Sequence, residues 1–573
     1  MIFVMRKVFK LLVLTIIAFT CIIASCTRDN FDMDRLSGQV DYDGSFAIPL
    51  AYSNIALYQI LDVMDTSIAL QDNNEGFLSI VYHSYVESKK VQDLLNLEMP
   101  PYSKTVSFSD LIPHTSRSGV QFYYDTEEII SFTLQNEGTE NTEAQIDSMA
   151  LNSATLEYSL RSTFHLASKF IVEFPSIRRN GVPLRDSVSL YSTDEVDHKV
   201  ISLDGYTIDL TTTPRHYNEI PIKISMMVDC STPPTLGEFS IDLSMRNFNY
   251  KGMYGYFGEN ELLFQSDTIN IKMFKQNPKY DWEHARFYFK EPKITVTYWN
   301  SYGVPSQFCF TELDAHMQRT DVTWDISRII KPNFPLGESN PSLINHAQVP
   351  GREAEGVIKV DSTNSYLDQI ISDRPLWFHF NAKASTNPGS GAVHSRNFID
   401  ENSKLRSKIE VEIPLYGHLY NFTYRDTMDV DISQYVGNLP VKRMAVILNI
   451  KNNMPVQANA QFYLVDEYYN VLDSLIQNPN ALVLEASDVD AYGNLIGDGK
   501  VTATKIELTK SQIEHLSNSR HMLSKITSNT AGDAASGGNI KLFRNYGLKL
   551  NLGLDVDLDV EANINAKKST KVE

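Results

Sequence analysis

The sequence predicts a mainly β protein: an elongated array of about three antiparallel β-sandwich-like modules with few short helices. Apolar and polar residues alternate with a period of two in stretches such as 293–299 and 356–362, which is typical of half-buried strands. Patterns typical of long crossover helices are missing, and this favours antiparallel connections. A strand phrase also recurs along the chain, as serial modules would require.

Residues 1–25 have the layout of an export signal. A positive start precedes an uncharged apolar stretch, 11–23, which as a helix of about 20 Å is too short to cross a bilayer core of about 30 Å. The run Ile23-Ala24-Ser25-Cys26 resembles the lipobox of bacterial lipoproteins. That resemblance implies cleavage before Cys26 and a diacylglycerol on its thiol, whereas Cys21 is discarded with the leader. The alternative is an ordinary signal peptide with an incidental cysteine.

Residues 26–37 are predicted to form an acidic tether. Asp29, Asp32 and Asp34 follow the cysteine closely, and position 27 is threonine. This pattern is similar to the acidic export signal of Bacteroidota lipoproteins and implies the outer face of the outer membrane, with a periplasm-facing anchor as the alternative. The acidic residues would also serve simply to keep a tether solvated.

The chain is strongly acidic. Its formal net charge of −19 becomes −22 when the three positive charges of the leader are removed. Such a surface argues against nucleic acid as a partner and against electrostatic docking on anionic lipids, so the predicted membrane contact is the lipid alone. Beyond Cys26 only Cys230 and Cys309 remain. Each lies in or beside an apolar run, which favours buried free thiols, with a disulfide as the alternative.

A chain of 573 residues is too long for one hydrophobic core. Polar or Gly/Pro-rich stretches at 134–145, 331–343, 385–397 and 527–539 suggest where it divides. The predicted organisation is an N-terminal β-rich segment, 38–140, then module 1, 141–278, module 2, 279–440, module 3, 441–564, and a polar tail, 565–573.

Three segments share one plan: 156–172, 294–310 and 445–465. Each has an alternating strand, a short polar break, an aliphatic residue followed by Pro or Ala, and a second strand. The Pro cannot donate to a ladder and so separates the two strands. A shorter similarity links 172–190 to 411–430.

The longest alternating strand is 548–564, with Gly553 as an expected bulge. Its polar face carries an acidic stripe, Asp555, Asp557, Asp559 and Glu561, for which a solvated strand face is favoured over loose cation binding. The best helix signal is 508–526, with Thr509 and Gln512 in capping-box relation. Two further short helices are predicted near residues 55 and 92.

No motif for catalysis, a metal or a cofactor is recognisable in the sequence. None of the histidines has a partner at metal-site spacing, and nucleotide-binding signatures are missing. Residues 488–499 fit the start of a calcium loop, but Gly499 stands where a bidentate Glu belongs, so a hairpin is favoured. We therefore predict no catalytic residue, no metal and no cofactor, although paired carboxylates of a hydrolase cannot be recognised by spacing.

Aromatic residues give the only suggestive cluster. All four tryptophans, Trp282, Trp299, Trp324 and Trp377, lie in the predicted module 2. Exposed aromatic faces stack on the apolar faces of sugars, so these residues are candidate ligand contacts. The competing interpretation is that they pack in strand cores, where aromatic residues are favoured.

The lipobox, the acidic tether, the serial β modules and the phrase at 41–61 with its Ala-Ile-Pro-Leu centre are together similar to a large group of Bacteroidota outer-membrane and surface lipoproteins. The resemblance implies a lipid-anchored location and a β architecture, and it supplies no catalytic residue. We expect a non-catalytic surface accessory or adhesin-like protein that binds a glycan or a protein partner. The alternatives are an extracellular polymer hydrolase and an envelope-assembly or lipid-handling partner acting through 548–564.

Overall fold

The computed structural model describes the chain from residue 40 to residue 562. The stretches outside this description are 1–39, 58–68, 73–75, 89–94, 108–112, 115–120, 137–138, 141, 164–167, 192–194, 213–215, 230–236, 265, 276–277, 333–335, 390–395, 430–440, 532–537 and 563–573. The predicted leader, the tether with Cys26, Cys230 and the polar tail therefore lie outside the described residues.

The described chain is mainly β, as predicted. Its α-helices are α1 (Ile326–Ile329), α2 (Leu367–Ser372) and α3 (Lys510–Asn518), with a single 3-10 turn at Lys272–Phe274. Named strands pair antiparallel throughout the described sheets. No described helix has the length and apolar character that a membrane crossing needs.

Strands β1 to β9 come from the predicted N-terminal segment. They are β1 (Val40–Ala56), β2 (Ala69–Asp72), β3 (Leu78–Glu87), β4 (Leu95–Glu98), β5 (Tyr102–Ser107), β6 (Pro113–His114), β7 (Gln121–Ser131), β8 (Thr133–Asn136) and β9 (Thr139–Glu140). β4, β8 and β9 form a small sheet of their own, whereas β1, β3, β5 and β7 each pair with a strand that follows much later in the chain.

Sandwich 1 is built mainly from β10 to β16. These are β10 (Gln145–Ser162), β11 (Ser168–Arg179), β12 (Val182–Leu190), β13 (Glu195–Ser202), β14 (Thr207–Asp209), β15 (Glu219–Asp229) and β16 (Glu238–Tyr256). One layer has the order β5-β16-β10-β13 and the other β7-β15-β11-β12, and β14 pairs with both layers at one edge. The layers face each other, since the rings of Phe170 and Phe239 lie 5.4 Å apart across the core.

Sandwich 2 uses most of the next twelve strands. They are β17 (Glu261–Leu263), β18 (Asp267–Asn270), β19 (Tyr280–Asp281), β20 (Arg286–Phe289), β21 (Lys293–Asn300), β22 (Ser306–Met317), β23 (Thr323–Trp324), β24 (Ser342–Ile344), β25 (Ala354–Val360), β26 (Pro375–Thr386), β27 (Asn397–Asp400) and β28 (Leu405–Pro414). Its first layer is β2-β3-β28-β21-β25; in its second layer β26 lies between β22 and the short strands β17 and β18.

Sandwich 3 comes from the last part of the chain. Its strands are β29 (Tyr416–Tyr420), β30 (Phe422–Asp429), β31 (Val441–Asn452), β32 (Val456–Val465), β33 (Val471–Ser474), β34 (Leu482–Leu484), β35 (Lys500–Leu508), β36 (His521–Thr530), β37 (Ile540–Lys541) and β38 (Gly547–Ala562). One layer is β1-β38-β31-β35 and the other is β19-β30-β36-β32-β33; β29 pairs instead with β20 and β37.

All three sandwiches share one strand plan, which confirms the main sequence repeat. Strand A (β10, β21 or β31) leads through a short connection to strand B (β11, β22 or β32) in the other layer. A later strand C (β15, β26 or β36) pairs with B, and the next long strand D (β16, β28 or β38) pairs with A. The shorter similarity is wrong as a structural repeat, because Val172 lies on a B strand and Val411 on a D strand.

Sandwich 2 contacts both of its neighbours. Strand β27 pairs with β16 of sandwich 1. At its other end the backbone N–H of Leu78 donates to the carbonyl of Leu542, 2.8 Å away, next to sandwich 3. Strand pairs thus join segments from both sides of the predicted limits at 140, 278 and 440, and those limits stay predictions about independent folding units.

The local predictions near the C-terminus had mixed outcomes. The capping box is confirmed: the Thr509 side chain accepts from the Gln512 N–H at 3.1 Å, and the Gln512 side chain accepts from the Thr509 N–H at 2.8 Å. The predicted helix nevertheless ends at Asn518, and the remainder is β36. The helices predicted near residues 55 and 92 lie mostly outside the described residues: β1 ends at Ala56, Leu57 is helical, and β4 begins only at Leu95.

The long C-terminal strand is confirmed as β38. It lies between β1 and β31 and pairs with both, so it is not a free sheet edge. The irregularity expected at Gly553 falls on the opposite strand, where the register of β1 shifts beside Pro49, a residue that cannot donate to the ladder. Leu548 and Leu550 are buried in the core of sandwich 3.

Candidate functional site

The structure does not bring the four tryptophans together. Trp282 and Trp324 pack against the core. Trp299 lies on the outer side of the first layer of sandwich 2. Side chains alternate between the two sides of a strand, and Val296 and Tyr298, which point to the other side, are buried. The Trp299 ring lies beneath the guanidinium of Arg406 at 5.6 Å. Any ligand role of these tryptophans therefore belongs to separate surfaces.

Trp282 belongs to an internal aromatic cluster between sandwiches 2 and 3. Its ring centroid lies 5.6 to 6.4 Å from those of Tyr280, Phe422, Phe287 and Phe274. The guanidinium of Arg374 closes the cluster at 5.7 Å from the Trp282 ring. Trp282 therefore packs against a core, as in the competing interpretation of the tryptophans.

Trp324 and Trp377 lie on opposite sides of the second layer of sandwich 2. Trp324 pairs with Ala315, whose side chain is fully buried, so both point inward. Trp377 pairs with His316, one position along, so both point outward. Their rings stack with centroids 5.1 Å apart and planes inclined by 9°.

We call the outward surface around this stack the His–Trp face; it comprises Glu312, Asp314, His316, Trp377 and His379. The two histidine side chains are 22% and 31% exposed, so the face is open to solvent but partly sheltered. Asp314 and His379 are directly opposite each other across the β22–β26 pair. The face thus joins a stacked aromatic pair to carboxylate and imidazole groups.

Hydrogen bonds and ion pairs hold the imidazoles of this face in place. His379 Nδ1 lies 2.9 Å from Thr268 Oγ1, and its Nε2 lies 3.5 Å from a Glu312 carboxylate oxygen. His316 has the same arrangement with Thr323 Oγ1 at 3.2 Å and Asp321 at 3.3 Å. A fixed ring orientation is what a stacking platform for a planar or pyranose face requires.

The carboxyl of Asp314 differs from an ordinary surface aspartate. Burial raises its pKa, and the nearby Glu312 and Asp325 carboxylates raise it further. Such a carboxyl accepts a proton or a hydrogen-bond donor more readily than an exposed aspartate, so it is suited to bind a neutral hydroxyl group.

The other motifs of the sequence have structural roles. Arg443 binds Asp555 at 3.0 Å and Asp557 at 2.8 Å, and Lys505 binds Asp555 at 3.2 Å, so the described half of the acidic stripe is neutralised across strands. In the loop at 488–499, the Asp490 carboxylate accepts from the loop's own backbone N–H groups. Among the described residues, no group of three or more His, Cys, Asp or Glu side chains is placed to hold a metal ion.

Cys309 is a free, buried thiol, as favoured by the sequence, and burial raises its pKa. An open groove of about 530 Å³ lies on the same sandwich and is lined by Pro305, Ser306, Leu343, Ile344, Asn345, His346, Gln348 and Ala354. No carboxylate belongs to this lining, so the groove does not supply the acid pair of a glycoside hydrolase.

Sequence reasoning found Trp377 but missed its partners. The spacing of Trp377 and His379 by two residues places them on one face of a strand, which the sequence shows. The contribution of Asp314 and His316 depends on β22 lying beside β26, a pairing that no local pattern reveals.

Comparison with known proteins gives little. No protein-family model matches the chain, and no curated protein matches it. Among solved structures, the chain is similar to a Parabacteroides distasonis protein described as secreted, with 15% identity over 53% of this chain and 89% of the other and a TM-score of 0.29. It also matches the structure of infectious bursal disease virus strain Gt at 7% identity, over 88% of this chain and 83% of the other, with a TM-score of 0.12. Scores of this size establish neither a shared fold nor a shared function.

Proposed function

We propose that the protein is a lipid-anchored, non-catalytic component of the cell envelope, whose sandwich array binds a glycan or a protein partner on the cell surface. The observation that carries the proposal is the lipobox-like run Ile23-Ala24-Ser25-Cys26, and the position of the first described residue indicates where such an anchor would lie. Val40 pairs with Ala562, at the end of β38. The opposite end of β1 lies toward sandwich 2: there Leu57 N–H donates to the Tyr546 carbonyl at 2.6 Å, and Leu542, four residues earlier, accepts from Leu78 at the start of β3.

This placement gives the array an orientation. Cys26 precedes Val40 by 14 residues, a tether of at most about 50 Å when fully extended. A lipid on Cys26 would therefore hold sandwich 3 near the membrane, with sandwich 2 beyond it and sandwich 1 farthest away. Such an arrangement suits a protein that presents surfaces to large extracellular partners.

The anchor is tested by replacing the lipid-bearing residue. We expect Cys26→Ala to move the protein from the membrane fraction to the soluble fraction, because the proposed attachment point of the lipid is lost. The control is Cys21→Ala, which changes only the leader. An unchanged membrane fraction for Cys26→Ala would refute the lipid anchor, and protection of the wild type from protease added to intact cells would refute the surface-facing orientation while leaving a periplasm-facing anchor.

For the ligand, the His–Trp face favours a glycan over the alternatives, because a stacked aromatic pair is bordered by groups that bind hydroxyls. We expect Trp377→Ala to weaken binding to a polysaccharide ligand about tenfold or more, since stacking and aromatic burial together contribute about 1.5–3 kcal/mol. Affinity electrophoresis against a panel of polysaccharides measures the loss.

The matched control is Trp299→Ala, which removes the half-exposed tryptophan of the other layer. Equal weakening by both variants would argue against a site at the His–Trp face. The hydrolase alternative is tested on the same panel with Asp314→Asn: new reducing ends that the wild type releases and this variant does not would replace the binding proposal with an enzymatic one.

A further inference from the structure

In each sandwich, the D strand lies beside a strand from the first part of the chain. The D strands β16, β28 and β38 pair on one side with the A strand of their own sandwich. On the other side they pair with β5, β3 and β1, respectively. We call residues 40–107, which contain all three of these strands, the arm.

The arm follows the sandwiches in reverse order. β1 joins sandwich 3, β3 joins sandwich 2 and β5 joins sandwich 1. The paired register covers 16 residues in β1, nine in β3 and six in β5. The arm therefore runs along the whole array before the chain returns through sandwiches 1, 2 and 3.

Side chains of the arm fit the sandwiches as a bound strand would. In β3, Ile80, Tyr82 and Val86 are buried. The alternate residues His83, Tyr85 and Glu87 are exposed. The Tyr82 hydroxyl also reaches the second layer of sandwich 2, where it accepts from the Met273 N–H at 3.2 Å. The strand thus contributes to both layers of the core.

Polar contacts fix the ends of the arm strands. Ser88 Oγ accepts from the Leu405 N–H at 3.1 Å, just beyond β3. Lys104 of β5 lies 3.3 Å from the Glu128 carboxylate of β7, which belongs to the other layer of sandwich 1. These contacts set the register, which backbone pairing alone leaves free to slip by two residues.

We infer that the outer edge of each D strand is a strand-binding site, and that its occupant is the arm of the same chain. Addition of an extended segment to a sheet edge is a general mode of peptide binding: backbone hydrogen bonds give affinity and alternate side chains give specificity. Three such additions linked in one segment reinforce each other through effective concentration. The inference is independent of the lipid anchor, since it concerns only how the arm holds the array.

The register is tested with disulfides in the full chain. Tyr85→Cys with Lys408→Cys, Ser103→Cys with Asp242→Cys, and Asn54→Cys with Lys549→Cys each join directly opposed, solvent-facing positions of one sandwich. We expect all three double variants to form an intramolecular disulfide under mild oxidation, because opposed Cα atoms in a sheet lie about 4.5–5.5 Å apart.

The matched control moves one cysteine by two residues. Tyr85→Cys with Arg406→Cys uses the same face, but Arg406 is opposite Glu87, and the diagonal separation of about 7–8 Å exceeds disulfide reach. Equal bridging in the control and the opposed pair, or disulfides that appear only between two copies of the chain, would overturn the inference.

Binding is tested by cutting the folded chain. A specific protease site inserted between residues 115 and 120 allows the arm to be severed from residues 121–573 after folding. We expect the two fragments to elute together in equal amounts in native buffer and to separate in denaturant. Separation of the fragments in native buffer, whether or not the body stays folded, would show that the edges do not hold the arm.

Discussion

Replacing Arg374 with alanine is expected to lower the free energy of unfolding by about 3 kcal/mol, because two buried carbonyls lose their donor and a cavity opens beneath an aromatic cluster. Arg374 is only 2% exposed. Its guanidinium donates to the carbonyl of Trp282 at 2.6 Å and contacts the carbonyl of Ala285 at 3.4 Å. It also lies 5.9 Å from the Phe287 ring.

The size of this effect is the result of opposing terms. Burial lowers the pKa of Arg374, with a smaller contribution from Arg319, so the native state carries the cost of a buried cation that the alanine variant would avoid. The backbone strain of its φ of 63° is common to both residues, because alanine also has a Cβ. The lost hydrogen bonds and packing should therefore dominate.

Urea denaturation of the two proteins measures the difference. Arg319→Ala is the control, because Arg319 is an exposed cation near the same place; a change within about 0.5 kcal/mol is expected there. Equal stability of Arg374→Ala and the wild type would show that the loop at 282–285 does not depend on this arginine.

Much of the β architecture could be predicted from local pattern. Alternation identifies the inward face of a strand because the side-chain period is two, and Ile294, Val296 and Tyr298 are buried as expected. The A–B phrase was recognisable because both of its strands and their short connection are contiguous in sequence. These are properties of neighbouring residues.

The partners of those strands could not be predicted in the same way. Val81 lies opposite Glu412, and Asp43 lies opposite Asp559. Alternation specifies which face of a strand is apolar but does not specify which other strand pairs with its edge. The arm therefore resembled a separate N-terminal segment. Among the candidate site residues, Trp282 was a candidate ligand contact. Arg374, which covers its ring, lies 92 positions away in the chain, so the sequence does not reveal that contact.

The second large effect is expected from a charge placed in the arm. Ile80→Asp should destabilise the protein by at least about 4 kcal/mol, because a fully buried, unpaired carboxyl shifts its pKa by about 3–5 units at 1.36 kcal/mol each. Ile80 is 1% exposed and lies opposite Ile413, which is completely buried. The isoleucine therefore has no polar neighbour at its paired position to receive the charge.

The pH dependence separates this penalty from the simple loss of an apolar side chain. Burial raises the folded-state pKa of the introduced carboxyl above its unfolded value, so the penalty is absent below the unfolded pKa and grows as the pH rises toward the folded one. The stability difference between Ile80→Asp and Ile80→Asn in urea should therefore narrow as the pH falls toward about 4, the unfolded value. Tyr85→Asp, on the same strand but 67% exposed, should change stability by less than about 0.5 kcal/mol at neutral pH. If both aspartate variants unfolded at the wild-type urea concentration, β3 would contribute nothing to the core of sandwich 2, and the arm would be only a covering segment.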